Sequence, residues 1–87
     1  MYAAGIDIGS VSINCVVLDK EGDLVYEAPY RRHFGRFLPQ TLDTLQSIHQ
    51  RFGRQHIETV AFTGNHGKII ASRVGALYEY ESITQVL

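Results

Sequence analysis

Apolar and polar positions alternate along the first eighteen residues. Ile6 and Ile8 hold one face before Gly9-Ser10, and Val11, Ile13, Cys15 and Val17 alternate after it. A period of two predicts strands, and the gap between these two admits only a hairpin turn. Asp19-Lys-Glu-Gly-Asp23 is a second polar turn, with Gly22 placed for a left-handed position. It returns the chain as a third strand, in which Leu24, Tyr26, Ala28 and Tyr30 alternate with Val25 and Glu27 until Pro29 limits the ladder. The spacing then changes. Leu38, Leu42, Leu45, Ile48 and Phe52 form a stripe that only a helix gathers on one face, with Pro39 suited to its first turn and Gly53 to the position just past its end. Asp43, Gln46, Gln50 and Arg51 fall on its wet side, with His49 at the border of the stripe.

Ile57-Glu-Thr-Val-Ala-Phe-Thr63 is rich in β-branched residues and apolar at its centre, as a strand inside a sheet should be. The preceding helix is long enough to carry the chain from an edge strand to this parallel partner. Thr63-Gly-Asn-His-Gly67 follows, then Lys68–Val74 as a short helix ending near Gly75, a brief extended stretch from Ala76, and Glu81–Leu87 as the opening of another helix. That last pattern stops on Val86-Leu87 without a cap, so the expectation is a chain cut short inside a larger domain. The predicted fold is α/β, three antiparallel strands followed by helix, parallel strand and helix.

The hairpin bend Asp7-Ile8-Gly9-Ser10-Val11-Ser12 carries the candidate chemistry. Gly9 is expected to take a backbone conformation that a Cβ would oppose, turning successive N–H groups toward one point as an anion-binding concavity. A carboxylate beside such a nest repels the anion unless a cation stands between them, so Asp7 next to Gly9, Ser10 and Ser12 suggests a phosphate carried with Mg²⁺. An isolated D-x-G-S would be read as a plain turn. Thr63, Gly64, Asn65 and Gly67 form a second candidate contact, because ligands of open α/β sheets gather at the carboxyl ends of strands. A simple helix cap by Asn65 accounts for the same residues equally well.

The remaining features narrow the picture. The chain has 87 residues and a net charge of -1, so no global field recruits nucleic acid and a phosphate would have to be bound by local geometry. Cys15 is the single cysteine, which excludes an intrachain disulfide, and the four histidines lack metal-ligand spacing. No apolar run reaches the roughly 18 residues of a membrane span, and Met1 leads straight into a strand, so the cytoplasm is the default compartment. Arg31, Arg32, His33 and Arg36 cluster within Tyr30–Arg36. They read more readily as a solvated linker than as a docking patch for an anion.

Gly5-Ile-Asp-Ile-Gly-Ser-Val-Ser12 resembles the first phosphate motif of the actin, sugar-kinase and chaperone ATPase superfamily, and the order of elements is similar to its ribonuclease-H-like subdomain. Within it, Val16-Val-Leu-Asp19, Tyr30-Arg-Arg-His-Phe-Gly35, Val60-Ala-Phe-Thr-Gly64 and Glu81-Ser-Ile-Thr84 resemble the N-terminal segment of the BadF/BadG/BcrA/BcrD ATPases, activators of 2-hydroxyacyl-CoA dehydratases and benzoyl-CoA reductases. The resemblance implies an actin-like ATPase domain of which residues 1–87 are the N-terminal part. It implies homodimers that deliver one low-potential electron to a dehydratase or reductase component. ATP and Mg²⁺ are the implied cofactors, with a 4Fe-4S cluster in the full-length protein that has no ligands in this segment. Asp7 would be catalytic and hold Mg²⁺ through water. Gly9, Ser10, Val11 and Ser12 would line the phosphates, with Thr63 and Gly64 opposite, and Glu81 falls near an acidic position that introduces the family's next helix. This segment lacks the second phosphate loop and the adenosine pocket, so alone it should not hydrolyse ATP. A sugar or acyl kinase of the same superfamily, or a non-catalytic scaffold of the same fold, are the alternatives.

Overall fold

The computed structural model describes residues 1–64 and the backbone of 77–78. Its strands form one sheet in the order β3 (Leu24–Glu27), β2 (Ser12–Leu18), β1 (Tyr2–Ile8), β5 (Ile57–Thr63) and β6 (Leu77–Tyr78), with β4 (Arg31–Arg32) also on β2. The first hairpin joins β1 (Tyr2–Ile8) to antiparallel β2 (Ser12–Leu18). Asp19 shapes the next turn: its Oδ1 accepts the N–H of Glu21 at 3.0 Å and of Asp23 at 2.9 Å, and Gly22 takes the expected left-handed φ of 87°.

The third strand is shorter than its alternation suggests. β3 (Leu24–Glu27) ends before Pro29, which cannot donate to a ladder, and pairing with β2 resumes as the two-residue β4 (Arg31–Arg32). The N–H groups of Ala28, to Cys15 O at 2.9 Å, and of His33, to Val11 O at 3.0 Å, flank the break. Because directly opposed residues share a face, the register fixes the two arginines on opposite sides: Arg31 faces Ile13 and Arg32 faces Ser12.

Helix α1 (Phe37–Phe52) covers one face of the sheet. Gly53 ends it with φ 86° and donates its N–H to His49 O at 2.9 Å. The buried stripe is rotated from the one the leucines suggest: Leu42 is 50% exposed, whereas Thr41, Thr44 and Ile48 are buried between Phe37, Leu38, Leu45 and Phe52. Thr methyl groups pack as apolar surface once the hydroxyl is satisfied within the helix. Thr41 Oγ1–H donates to Phe37 O at 2.6 Å and Thr44 Oγ1–H to Gln40 O at 2.9 Å. Opposite them lie Ala4, Ile6, Ile8, Ile13, Cys15, Val17 and Phe62, each buried aliphatic contributing about 1.5–3 kcal/mol. Phe52 closes the far end, its ring 4.8 Å from Tyr2 and 5.8 Å from Tyr26.

From α1 the chain passes through a 3-10 turn, Arg54–His56, into β5 (Ile57–Thr63), which runs parallel to β1 in the sheet interior. β6 (Leu77–Tyr78) pairs parallel to β5, where an extended stretch was expected. The helix expected over 68–74, the one opening at Glu81, and the candidates Asn65 and Gly67 lie outside the described residues.

Candidate functional site

Since Ile6, Ile8, Ile13, Cys15 and Phe62 all point at α1, alternation sends their neighbours to the opposite face. There Asp7, at the carboxyl end of β1, pairs with Asn14 on β2 and with Thr63 on β5. Ser12 and, across the sheet edge, Arg32 extend this polar row. Asp7 and the Thr63-Gly64 corner, separate stretches in the sequence, are brought into direct contact.

Gly64 is where glycine is required. Its φ is 92°, and a Cβ there would collide with Asp7 Oδ1 and lie 2.5 Å from Ile8 O and 2.7 Å from Ile8 C. The corner after β5 thus packs its backbone against the carboxylate. The corresponding expectation for Gly9 is corrected: its φ is not left-handed, and a Cβ would meet only Ser12 O at 3.6 Å, an ordinary contact. Nor is its amide aimed outward, for Gly9 N–H donates to Ser12 O at 2.9 Å and closes the hairpin. The next two amides differ. Among the described residues those of Ser10 and Val11 have no acceptor, and both residues are exposed.

Asp7 is half-buried, and burial raises its carboxyl pKa above the ordinary 3.8. Among the described residues the ion pair is Arg31 Nη1 to Asp43 Oδ2 at 3.6 Å, so no side-chain cation neutralises Asp7. Among the described residues no group of three or more His, Cys, Asp or Glu gathers there either. A lone carboxylate fits Mg²⁺ as it is usually held, by one or two protein carboxylates with waters and ligand phosphates completing the shell. It does not fit a cage made wholly of protein.

His33 supports the bend from below. It is 2% exposed, and Gly35 N–H donates to its Nδ1 at 3.0 Å. That assigns the ring proton to Nε2, which donates to Gly9 O at 2.8 Å. One imidazole therefore ties the bend after β1 to the turn after β4. Replacing it strands two partly buried backbone groups at about 1–3 kcal/mol each, so His33→Ala is expected to destabilise the fold by about 2–6 kcal/mol in urea denaturation. His33→Gln, which keeps a donor near the Nε2 position, should recover about half.

Asn14, His33 and Arg32 were not among the candidate site residues. The signal for Asn14 was the hairpin register, which sets it opposite Asp7. Cys15 is 1% exposed and burial pushes its thiol up to about 12, so it offers no thiolate to a metal or cluster.

Among the described residues no helix is long and apolar enough to cross a membrane. No protein-family model matches the chain, and no curated protein matches it in sequence. Among solved structures, the crystal structure of an Aquifex aeolicus member of the Ppx/GppA protein family is similar with a TM-score of 0.52 at 20% identity, over 92% of this chain and 34% of that one. The type II variant of the Aquifex aeolicus Ppx/GppA phosphatase is similar with a TM-score of 0.44 at 18% identity, over 92% of this chain and 35% of that one. The chain therefore spans about a third of the length of these neighbours. The first likeness shows the fold alone, a mixed α/β fold with a helix packed against one sheet.

Proposed function

We propose that this chain is the phosphate-binding subdomain of an actin-like ATPase, with Asp7 as the residue that positions Mg²⁺ through water. The observation that carries the reading is a half-buried carboxylate at the carboxyl end of the central strand pair, beside a bend with two amides, none of which has a cation or acceptor partner among the described residues.

Each residue then has a separate task. The Ser10 and Val11 amides and the Ser10 and Ser12 hydroxyls are the donors for phosphate oxygens, with Thr63 and Gly64 on the opposite side. Gly9 contributes by shaping the bend through its internal hydrogen bond, and His33 holds that bend in place. Phosphoryl transfer needs positioning and charge neutralisation more than covalent help, so fixed amides that require no reorganisation suit it. Bound Mg²⁺ would supply the positive charge that offsets the phosphates, and Asp7 would orient its waters or the attacking water.

The finer reading is an activator that couples ATP hydrolysis to electron delivery to a CoA-ester dehydratase or reductase component. Its support is the resemblance of Tyr30–Gly35 and the other quoted stretches to that family. Since Cys15 is sealed in the core, ligands for a 4Fe-4S cluster would have to come from further residues of the full-length protein.

Full-length protein titrated with ATP is expected to bind about tenfold or more tightly with Mg²⁺ than with a chelator, about 1.4 kcal/mol per factor of ten. Binding indifferent to Mg²⁺ would remove the metal role, and absence of binding would leave a scaffold. Dithionite reduction giving the paramagnetic signal of a reduced 4Fe-4S cluster supports the electron-transfer reading. A silent spectrum overturns that finer reading and leaves the ATPase.

A further inference from the structure

The arginine cluster, read in the sequence as a solvated linker, is divided by the fold. Arg31, on the α1 side, donates from Nη1 to Gln40 Oε1 at 2.8 Å and pairs with Asp43. Arg32 lies on the opposite face and has no carboxylate partner among the described residues. Its guanidinium carbon lies 5.1 Å over the centroid of the Phe34 ring. A guanidinium stacked in this way keeps the N–H groups of its edge available to an acceptor.

Phe34 is placed against two ordinary preferences. It is 75% exposed, and its φ of 51° lies in the left-handed region that a bulky side chain disfavours. The turn holds it there: Gly35 N–H donates to His33 Nδ1 at 3.0 Å and Arg36 N–H to His33 O at 2.7 Å, while His33 Nε2 donates to Gly9 O at 2.8 Å. Glycine would take the same φ without strain, so the turn itself does not call for a ring at this position. A strained aromatic side chain held in water points to use by something outside the fold.

The ring does not stand alone. Val11 is 48% exposed, and Ser10, Val11, Arg32, His33, Phe34 and Gly35 line one cleft of about 130 Å³. That is the room of a few waters at about 30 Å³ each, enough for one side chain and far below the roughly 300–1,000 Å³ of a cofactor site. An aromatic ring, an aliphatic neighbour and an arginine around such a cleft have the composition of an interface anchor, in which aromatic residues and arginine dominate.

Charge decides what fits. The residues lining the cleft include a cation and no carboxylate. A second copy of the chain brought up about a twofold axis would set Arg32 against Arg32, which opposes self-association through this patch. These few residues also fall short of the roughly 20–30 a side of a standard interface, so a short segment suits them better than a globular face.

We infer that Val11, Arg32 and Phe34 form a docking surface for a short acidic segment of a partner protein. An apolar side chain of that segment sits in the cleft against Phe34, and a neighbouring carboxylate pairs with Arg32. The surface stands whether or not the bend beside it takes a nucleotide.

The test is fluorescence anisotropy of the full-length protein with a dye-labelled peptide of alternating aspartate and leucine, and with a counterpart in which asparagine replaces aspartate. The acidic peptide should bind about tenfold or more tightly than the neutral one. Arg32→Met and Phe34→Gly should each weaken it about tenfold, the scale of an interface anchor, and Arg31→Met should leave it unchanged. Phe34→Gly should also hold or raise the thermal midpoint, because glycine accepts this φ. Equal binding of the two peptides, unaltered affinity in either variant, or no binding by the unsubstituted protein overturns the surface. A lower midpoint for Phe34→Gly would make Phe34 a packing residue and overturn it too. Self-association of the unsubstituted protein that Phe34→Gly abolishes would give the patch to a second copy and overturn the acidic partner.

Discussion

Asp7→Asn is expected to weaken nucleotide binding and hydrolysis and strengthen the fold at once. Asparagine preserves the shape of the side chain but loses the charge that a hydrated divalent cation needs. Mg-ATP affinity of the full-length protein should fall by about 10–100-fold, and hydrolysis by about a hundredfold or more, the scale seen when a preorganised electrostatic group is lost. Stability should move the other way. Burial raises the Asp7 pKa in the folded state above 3.8, so the fold binds this proton more tightly than the unfolded chain does. The ligand-free protein is therefore favoured by Asp7 below the ordinary carboxylate pKa, and that advantage is lost as pH rises through the raised value. At neutral pH the Asn variant should melt higher than the parent, and the gap should close on acidification below 3.8. Melting curves across that range, run with and without Mg-ATP, check both halves. Equal nucleotide affinity in the two proteins would take Asp7 out of the metal role.

Gly64→Ala should be more damaging than the same methyl addition at Gly9, Gly22, Gly35 or Gly53. The new Cβ meets the Asp7 carboxylate and the Ile8 carbonyl, both held by the central strand pair, while the φ of 92° strains any L side chain. Backbone strain of about 1–3 kcal/mol and overpacking of a similar size add to roughly 2–5 kcal/mol. Relief by movement would displace Asp7, so the variant should lose Mg-ATP binding even where it folds. Gly9→Ala is the control. Its Cβ has ordinary contact only, and its cost should stay near 0.5 kcal/mol. Urea midpoints for the two variants decide the matter, and a Gly9→Ala protein less stable than Gly64→Ala would reverse the assignment.

That contrast separates what the sequence makes legible from what only the fold decides. The hairpin, the Gly22 turn, the span of α1 with Gly53 at its end, and β5 as an interior parallel strand all follow from local periodicity and turn chemistry. Gly9 was credited with special freedom because it stands inside a recognisable motif. The real constraint falls on Gly64, and it arises only once β5 is laid against β1. Leu42 was drawn into the helix stripe because Thr41 and Thr44 look polar in one dimension, although their hydroxyls are consumed within the helix. The two arginines could not be separated without knowing where pairing resumes after Pro29.

The interruption of the edge strand at Ala28–Tyr30 has a consequence for how this chain can change. Adjacent, chemically identical side chains are assigned to different layers solely by the count of residues across that gap. Insertion or deletion of a single residue there would exchange them, sending the helix-bound guanidinium to the face that carries Asp7 and the other beneath the helix. Length in this short connector is thus a stricter requirement than its composition, and substitutions here should be tolerated far more readily than an added or removed residue.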